Sequence, residues 1–284
     1  MASSNVNFDP DSFAKFDSQS SQSADEVLRR IHFQGSLTEN HQVLEVGCGT
    51  GRFARQYLLT HCRICRRIVA TDCDPDMIDF AKKHFAHDDI VHDLLDITTP
   101  CLDMFLERYG KFDRVFSFLV FHMIRDQKTA YANIAKLLNP DGECLVVAMS
   151  SLDTMDVWLE VYKMPKWKGR IPDPRNVFNA SVNFNRIKSA AQVEAEVRDT
   201  LRGTGLQCIS CEVEDSSWKF DCMDSLLGIL LTIFPFKAFV PAEEWGCFRD
   251  SWEELMHQKL SPTQGEPLAL KFTFYVVHGR LSTD

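Results

Sequence analysis

Long hydrophobic runs and a surplus of basic residues are both missing from this chain of 284 residues. No segment approaches the ~18 unbroken apolar residues that a membrane-spanning helix requires, so we expect no membrane span. Lys and Arg number 31 against 40 Asp and Glu, a formal net charge of −9. Because a general nucleic-acid binder would carry a basic face, we expect no nucleic acid as a partner. Internal repeats and low-complexity tracts are also absent.

Secretion signals are missing as well, although the chain has ten cysteines. Residues 1–25 are polar and partly acidic, which predicts neither a signal peptide nor an Arg-rich transit peptide. Cysteines without such a signal favour a reducing compartment, so we expect a cytoplasmic protein. Two C-x-x-C pairs, Cys62/Cys65 and Cys208/Cys211, raise the alternative of a zinc site. Their wide separation does not fit a zinc ribbon, and the second pair interrupts a predicted strand. We therefore predict buried thiols and no metal.

The most informative stretch is VLEVGCGTGR, residues 43–52, where a strand-like run meets three alternate glycines, Gly47, Gly49 and Gly51. Glycine lets the backbone turn sharply and lets a ligand approach main-chain N–H groups closely. A dinucleotide fingerprint would need a further glycine where Arg52 stands. The acidic Glu45 instead completes the pattern E-x-G-x-G-x-G. The pattern alone leaves open a glycine-rich turn that binds nothing.

A second predicted strand, 67–72, ends in the carboxylate of Asp72, 21 residues past the last glycine. Ligands of open α/β sheets bind outside the carboxyl ends of the strands, so Asp72 is predicted to accept both ribose hydroxyl hydrogen bonds. The alternative is that Asp72 caps the helix predicted over 75–84. Asp74 suits that role better, because it directly precedes Pro75 at the first helical position.

Further segments continue the alternation of strands and helices. Predicted strands cover 90–95, 112–118 and 144–148, and a helix end with a turn, 137–143, precedes the last of them. This alternation predicts a doubly wound, mostly parallel α/β sheet over 42–149. In order and spacing the motifs resemble those of the class I methyltransferases, enzymes with a Rossmann-like fold that use S-adenosylmethionine.

The resemblance implies S-adenosylmethionine as the cofactor and S-adenosylhomocysteine as its product. The implied binding residues lie in the glycine turn and at the ends of the next three strands. They are Glu45, Gly47, Cys48, Gly49, Gly51, Asp72, Cys73, Met77, Asp96, Ile97, Ser117 and Phe118. Among them, Asp96 is implied to bond the adenine amino group, with Leu95 and Ile97 flanking the ring.

We expect one domain over 1–284 with three parts. Residues 1–41 form an N-terminal arm with a partly helical apolar pattern, 42–149 the cofactor-binding core, and 150–284 a lid over the acceptor pocket with the final strands. The arm pattern comprises Phe13, Phe16, Ala24, Val27 and Leu28.

The sequence of the lid region predicts three regular elements: a helix over 190–203, a strand over 207–213 and a late strand over 271–280. Between them, 223–239 contains a continuous apolar run. The run is too short to span a bilayer and predicts a buried helix or a pocket wall.

A narrower resemblance involves the segment after the fourth strand. Residues 116–118, His122 and 124–127 are very similar to insect juvenile hormone acid methyltransferases, which methylate the carboxyl group of a sesquiterpenoid acid. The family has a Trp where Met123 stands here and a Gln in the arm, where the alignment places Ser20. Gln19 and Gln22 are neighbours that could substitute for that Gln. The catalytic candidates implied by the resemblance are therefore His122, Met123, Gln19, Ser20 and Gln22.

The chemistry of the acceptor sets what these residues must do. A carboxylate is already ionised at neutral pH and needs no general base, only positioning and removal of water. His122 can donate a hydrogen bond to a substrate oxygen, and the alternative is a structural histidine that caps the strand end.

Three functions stay open at this stage. They are carboxyl methylation of a lipophilic acid, methylation of another small acid such as trans-aconitate, and binding of S-adenosylmethionine by a protein that has lost catalysis. The acceptor is expected to be a small-molecule acid. Both a monomer and a homodimer are compatible with the sequence.

Overall fold

The computed structural model of this protein describes residues 9–15, 17–234, 236–260 and 268–282, with 232 and 233 described by their backbone alone. Phe16 of the predicted arm pattern lies outside the described residues.

One seven-stranded sheet runs through the described chain. Its strands are β1 (Gln42–Val46), β2 (Arg67–Asp72), β3 (Ile90–Leu94), β4 (Phe112–Phe118), β5 (Leu138–Leu152), β6 (Leu206–Phe220) and β7 (Leu268–Leu281). They lie in the order β3-β2-β1-β4-β5-β7-β6. The first five strands pair in parallel, whereas β7 is antiparallel to both β5 and β6. The predicted doubly wound, mostly parallel sheet is confirmed.

Helices cover both faces of this sheet, as the connections between parallel strands require. The α-helices of the described residues are α1 (Pro10–Ala14), α2 (Asp17–Arg30), α3 (Leu59–His61), α4 (Pro75–His84), α5 (Asp103–Tyr109), α6 (Gln127–Leu137), α7 (Asp153–Lys163), α8 (Pro174–Val177), α9 (Ala190–Leu201), α10 (Met223–Ile233) and α11 (Trp245–Leu260). A π-helical segment, Ala54–Leu58, leads into α3, and a single 3₁₀ turn, Phe121–Met123, follows β4. None of the helices described is both long and apolar enough to cross a membrane.

Local signals explain the elements nearest to the glycine turn. Every residue of β1 is buried, since a central parallel strand is covered on both faces. Helix α4 begins at Pro75, and the side chain of Asp74 accepts a hydrogen bond from the backbone N–H of Asp76. The capping role predicted for Asp74 is thereby confirmed, which leaves Asp72 without that duty.

Three strands are longer than the sequence predicts, and one of them is β7, which covers Leu268–Leu281 instead of 271–280. Strand β5 extends on both sides of 144–148, and β6 continues past Val213 to Phe220. The sequence pattern does not predict the continuation of β6, because residues 214–217 are polar or acidic. Such residues are tolerated there since β6 is an edge strand and exposes one face to solvent. The additional length of β6 brings Trp218 to the cavity described below.

The apolar run in 223–239 forms helix α10, as expected for a buried helix. Leu226, Leu227 and Leu230 are buried and pack into the larger of two hydrophobic clusters of the fold. The predicted helix over 190–203 is α9, which ends two residues earlier, at Leu201.

Candidate active site

A cavity of about 270 Å³ (the volume open to the centre of a water molecule) lies at the carboxyl ends of β1, β2 and β4. The strand order reverses between β2-β1 and β1-β4, so a crevice opens there, as it does in other doubly wound sheets. Helix α2 of the arm, the end of β5, β6 and α10 complete its walls.

The glycine turn forms the floor of the cavity. Its backbone adopts conformations that residues with a side chain rarely adopt. Gly47 has φ +77°, and a Cβ there would lie 2.2 Å from a methyl carbon of Val120. Across the floor, Leu119 has φ +57°, an uncommon conformation for a residue other than glycine. Strain of this kind concentrates at functional sites, and both Leu119 and Val120 line the cavity.

Asp72 lies across from the glycine turn, on β2. One carboxylate oxygen, Oδ2, accepts the backbone N–H of Gly49 at 2.9 Å, and the other, Oδ1, accepts that of Asp74 at 3.0 Å. Burial raises the pKa of Asp72, while these two backbone N–H groups act to lower it. The carboxylate faces the cavity at the position where the sequence predicts a ribose.

Glu45 places a second carboxyl group on the same wall. It is 2% exposed, and its Oε2 has no hydrogen-bond partner within the described part of the chain. Burial, and then the charge of Asp72, raise the pKa of Glu45 to about 8. A buried acceptor without a partner is costly, so this oxygen fits a ligand that brings a cationic donor group. The amino group of S-adenosylmethionine is such a donor, and the residues present therefore fit that cofactor.

The cavity brings together most of the site residues that the sequence predicts, and they come from six separate elements and the loops between them. Those that line it are Gln19, Ser20, Glu45, Gly47, Cys48, Gly49, Asp72, Cys73, Met77, Phe118, His122 and Met123.

Five other predicted residues do not line the cavity. Gln22 and Asp96 are exposed, and the Asp96 carboxylate accepts hydrogen bonds from the N–H and hydroxyl of Thr98. Ile97 packs in the smaller hydrophobic cluster, and Ser117 donates its hydroxyl to the carbonyl of Val46. The adenine contacts of Asp96 and Ile97 stay predictions.

Gly51, the fifth of these residues, serves packing instead of the cavity floor. It has φ +81°, and a Cβ there would lie 2.8 Å from the Cβ of Ala81 and 2.9 Å from Nε2 of His92. The third glycine of the motif thus lets α4 and β3 approach the turn.

The arm contacts the glycine turn directly, and the contact is made by a residue that the sequence analysis did not identify. Asp17, at the start of α2, accepts the hydroxyl of Thr50 at 2.6 Å and forms an ion pair with Arg52. Arg52 also donates to the carbonyl of Ala14 at 2.8 Å. Burial raises the pKa of Asp17, while Thr50 and Arg52 act to lower it. No local sequence signal identifies Asp17, because its partners lie more than thirty positions along the chain.

The opposite side of α2 is fastened to β6. Gln19 donates its amide to the carbonyl of Lys219 at 2.9 Å, and Trp218 donates its indole N–H to the hydroxyl of Ser23 at 3.0 Å. The side-chain oxygen of Gln19 is buried and has no hydrogen-bond partner among the described residues. Helix α2 therefore roofs the cavity from the glycine turn to the sheet edge.

His122 lies in the turn Phe121–Met123 and lines the cavity. Its side chain is buried, and burial lowers its pKa to about 4, so the imidazole is neutral near pH 7. Nδ1 has no hydrogen-bond partner in the described parts of the chain. The ring thus faces the cavity, where a neutral imidazole can donate one hydrogen bond and accept another.

Beyond His122 the cavity wall is apolar. It is formed by the side chains of Met123, Met149, Leu152, Met155, Trp218, Ile229, Leu230 and Phe234. Among the described residues that line the cavity there is no Lys and no Arg. This half of the cavity suits a hydrocarbon, since an apolar wall offers few partners to polar groups.

Neither C-x-x-C pair forms a metal centre in the described structure. All ten cysteines are free thiols. Cys62 and Cys211 are buried as predicted, whereas Cys65 and Cys208 are only half-buried. Within the ranges described, no group of three or more His, Cys, Asp or Glu residues is arranged to hold a metal ion.

Comparison with known proteins agrees with this geometry. A family model described as a methyltransferase domain matches residues 44–144. The chain is 24% identical over 241 residues to the juvenile hormone acid O-methyltransferase of Bombyx mori, covering 83% of each chain. It is 25% identical over 216 residues to the enzyme of the same name from Drosophila melanogaster, covering 75% of this chain and 70% of that one.

A solved structure shares the fold at low sequence identity. The YcgJ protein of Bacillus subtilis superposes with a TM-score of 0.56 at 14% identity, over 94% of this chain and 99% of that one.

Proposed function

We propose, from the premise that this chain is a class I S-adenosylmethionine-dependent methyltransferase, that it methylates the carboxyl group of a lipophilic acid. A sesquiterpenoid acid such as farnesoic acid or juvenile hormone acid is the substrate class that we favour. One observation carries the proposal: a single cavity is lined by Glu45, Asp72 and His122 together with an apolar wall.

The relatives support the same substrate class. The two similar insect proteins are named as O-methyltransferases of juvenile hormone acid, and each match covers at least 70% of both chains. The apolar wall also argues against trans-aconitate, since an acid with three carboxylates would have no basic partner among the described lining residues.

We assign the donor half of the cavity to the glycine turn, Glu45 and Asp72. When bound, S-adenosylmethionine supplies a methyl group on a cationic sulfur. Glu45 would pair with its amino group, and Asp72 would accept the ribose hydroxyls. Thr50 and Arg52 are both held by Asp17, so the arm closes over this half and excludes water.

In the acceptor half, His122 would hold the substrate carboxylate. The acid is already ionised near pH 7, and a neutral imidazole leaves it so. His122 therefore has no proton to remove; it donates a hydrogen bond that orients one carboxylate oxygen. Gln19 and Ser20 are polar side chains that also line the cavity, and we assign them to this half. The hydrocarbon tail would pack against α10 and Trp218.

Incubation of the protein with labelled S-adenosylmethionine and separate acids tests the proposal. The panel consists of farnesoic acid, juvenile hormone acid and trans-aconitic acid, and the methyl ester is measured after extraction. We expect ester from the sesquiterpenoid acids alone. Ester from trans-aconitic acid alone would replace the substrate class, and donor binding without ester on a broad acid panel would favour a lapsed enzyme.

A further inference from the structure

We infer that Asn179 is a positioning residue that fixes His122 against the acceptor by holding the turn Phe121–Met123. The inference rests on the proposed function, because it assigns the work of Asn179 to the acceptor half of the same cavity. Asn179 follows α8, far along the chain from the glycine motif, and does not itself line the cavity.

Asn179 holds the turn through both its side chain and its backbone. Its amide Nδ2 donates to the carbonyl of Phe121 at 2.6 Å, and its backbone N–H donates to the carbonyl of His122 at 3.1 Å. The remaining amide oxygen accepts the N–H and the hydroxyl of Ser181. All four residues are buried, so solvent cannot replace these bonds easily.

A second amide reaches the same carbonyl from the other side. Gln127 donates through Nε2 to the carbonyl of Phe121 and to the hydroxyl of Tyr275, each at 2.8 Å. Tyr275, a residue of β7, is itself fully buried. The turn is therefore bonded to two parts of the fold: Gln127 links it to the sheet, and Asn179 links it to the lid region.

The neighbour of Asn179 links this clamp to the acceptor wall. The Phe178 ring lies 6.1 Å from that of His122, 5.7 Å from Trp158 and 5.9 Å from Phe234, measured between centroids. Phe234 lines the cavity. The dipeptide Phe178-Asn179 thus contacts both the apolar wall and the turn. The segment that supports the wall for the hydrocarbon tail of the substrate therefore also holds His122.

The imidazole depends on this clamp because little else orients it. Nδ1 of His122 has no hydrogen-bond partner within the described residues, so no second side chain fixes the ring from that edge. The ring position follows from the backbone of the turn and from the Phe178 face. Displacement of a reacting group by about 1 Å can cost about 100-fold in rate.

Substitution of Asn179 by Ala and by Asp tests the inference. Asp keeps the shape and the oxygen that accepts from Ser181 but loses the donor to the Phe121 carbonyl. For both variants we expect kcat/KM for the acid to fall by about 10- to 100-fold, with the affinity for S-adenosylmethionine unchanged by calorimetry. Asn183→Ala is the matched control, since Asn183 is equally buried and bonds the backbone of Lys188 instead of the turn.

Double variants separate positioning from general destabilisation. If Asn179 acts through His122, Asn179→Ala should cost less than about twofold once His122 is already Ala. Equal costs in the two backgrounds, or an equal loss in Asn183→Ala, would overturn the inference.

A measurement without substrate keeps the inference testable if no acid on the panel is methylated. Histidine ring signals are titrated by NMR, with His122 identified by its absence in His122→Gln. We expect the pKa of His122, about 4 in the native chain, to rise toward 6.5 in Asn179→Ala as water reaches the ring. An unchanged titration would overturn the positioning role, whereas a shifted titration without any ester would count against the substrate class alone.

Discussion

The carboxyl groups beside the glycine turn are held in surroundings that disfavour their charge. Burial raises the pKa of both Glu45 and Asp72, and the negative charge of Asp72 raises the pKa of Glu45 further. Asp72 gains two backbone N–H donors, whereas Oε2 of Glu45 gains no partner within the described chain. The donor-free protein therefore maintains this arrangement at a cost in stability, which a bound cation would relieve.

Glu45→Gln tests this cost through its pH dependence. The folded-state pKa of about 8 lies above the unfolded value near 4.5, so ionisation destabilises the fold as pH rises through that window. We expect the Tm of the donor-free variant to exceed that of the native protein by a few degrees at pH 8.5 and by much less at pH 5. Thermal denaturation at both pH values measures this, with the exposed Glu26→Gln as the control. A difference that does not depend on pH would contradict the origin proposed here.

Asp72→Ala tests the ribose assignment. Removal of the carboxylate leaves two hydroxyl groups without their acceptor and should weaken S-adenosylmethionine binding by about 1–3 kcal/mol. Calorimetry on the folded variant gives the affinity, and Asp79→Ala, an exposed carboxylate on α4, is the comparison. Native affinity in Asp72→Ala would refute the assignment.

At the scale of elements, α2 decides how the cavity closes. One of its faces is joined to the glycine turn by Asp17, and the other to β6 by Gln19 and Ser23. The sequence identifies three polar candidates in this helix, but helical geometry lets only some of them face inward. Gln19 and Ser20 line the cavity, whereas Gln22 is exposed.

The pair Gln19→Ala and Gln22→Ala tests which side of α2 serves the acceptor. Gln19→Ala removes a contact to β6 and a buried oxygen at the cavity, so we expect kcat/KM for the acid to fall by about tenfold. Gln22→Ala should change it by less than about twofold. Steady-state kinetics on both variants decide this, and the opposite ranking would mean that the arm binds in another register.

For the molecule as a whole, the assignment of the donor half predicts that a bound nucleoside ligand stabilises the folded protein. A ligand that binds only the folded state at 100 times its Kd adds about 2.7 kcal/mol. For a chain of this size that corresponds to a rise in Tm of roughly 4–5 °C. Thermal denaturation with S-adenosylhomocysteine should show the rise and NADH should not, because Arg52 stands where a dinucleotide fingerprint needs glycine. A larger rise with NADH would contradict the assignment of the cavity.

The sequence by itself determined the sheet, the glycine turn, and the carboxylates Glu45 and Asp72. These rest on local signals: apolar strands that alternate with helices, glycines at a tight turn, and a Pro at a helix start. Strands β2 and β4 and helix α4 begin and end at the predicted residues for that reason.

Only the tertiary structure decided which arm residues face the cavity, how far β6 extends, and that Asn179 holds the His122 turn. Each of these depends on a contact between distant positions, such as Gln19 with Lys219, separated by 200 residues. The reach of an edge strand is likewise set by its pairing with β7, which its own polar pattern does not reveal. Local periodicity carries no information about such partners, since they meet only when the chain has folded.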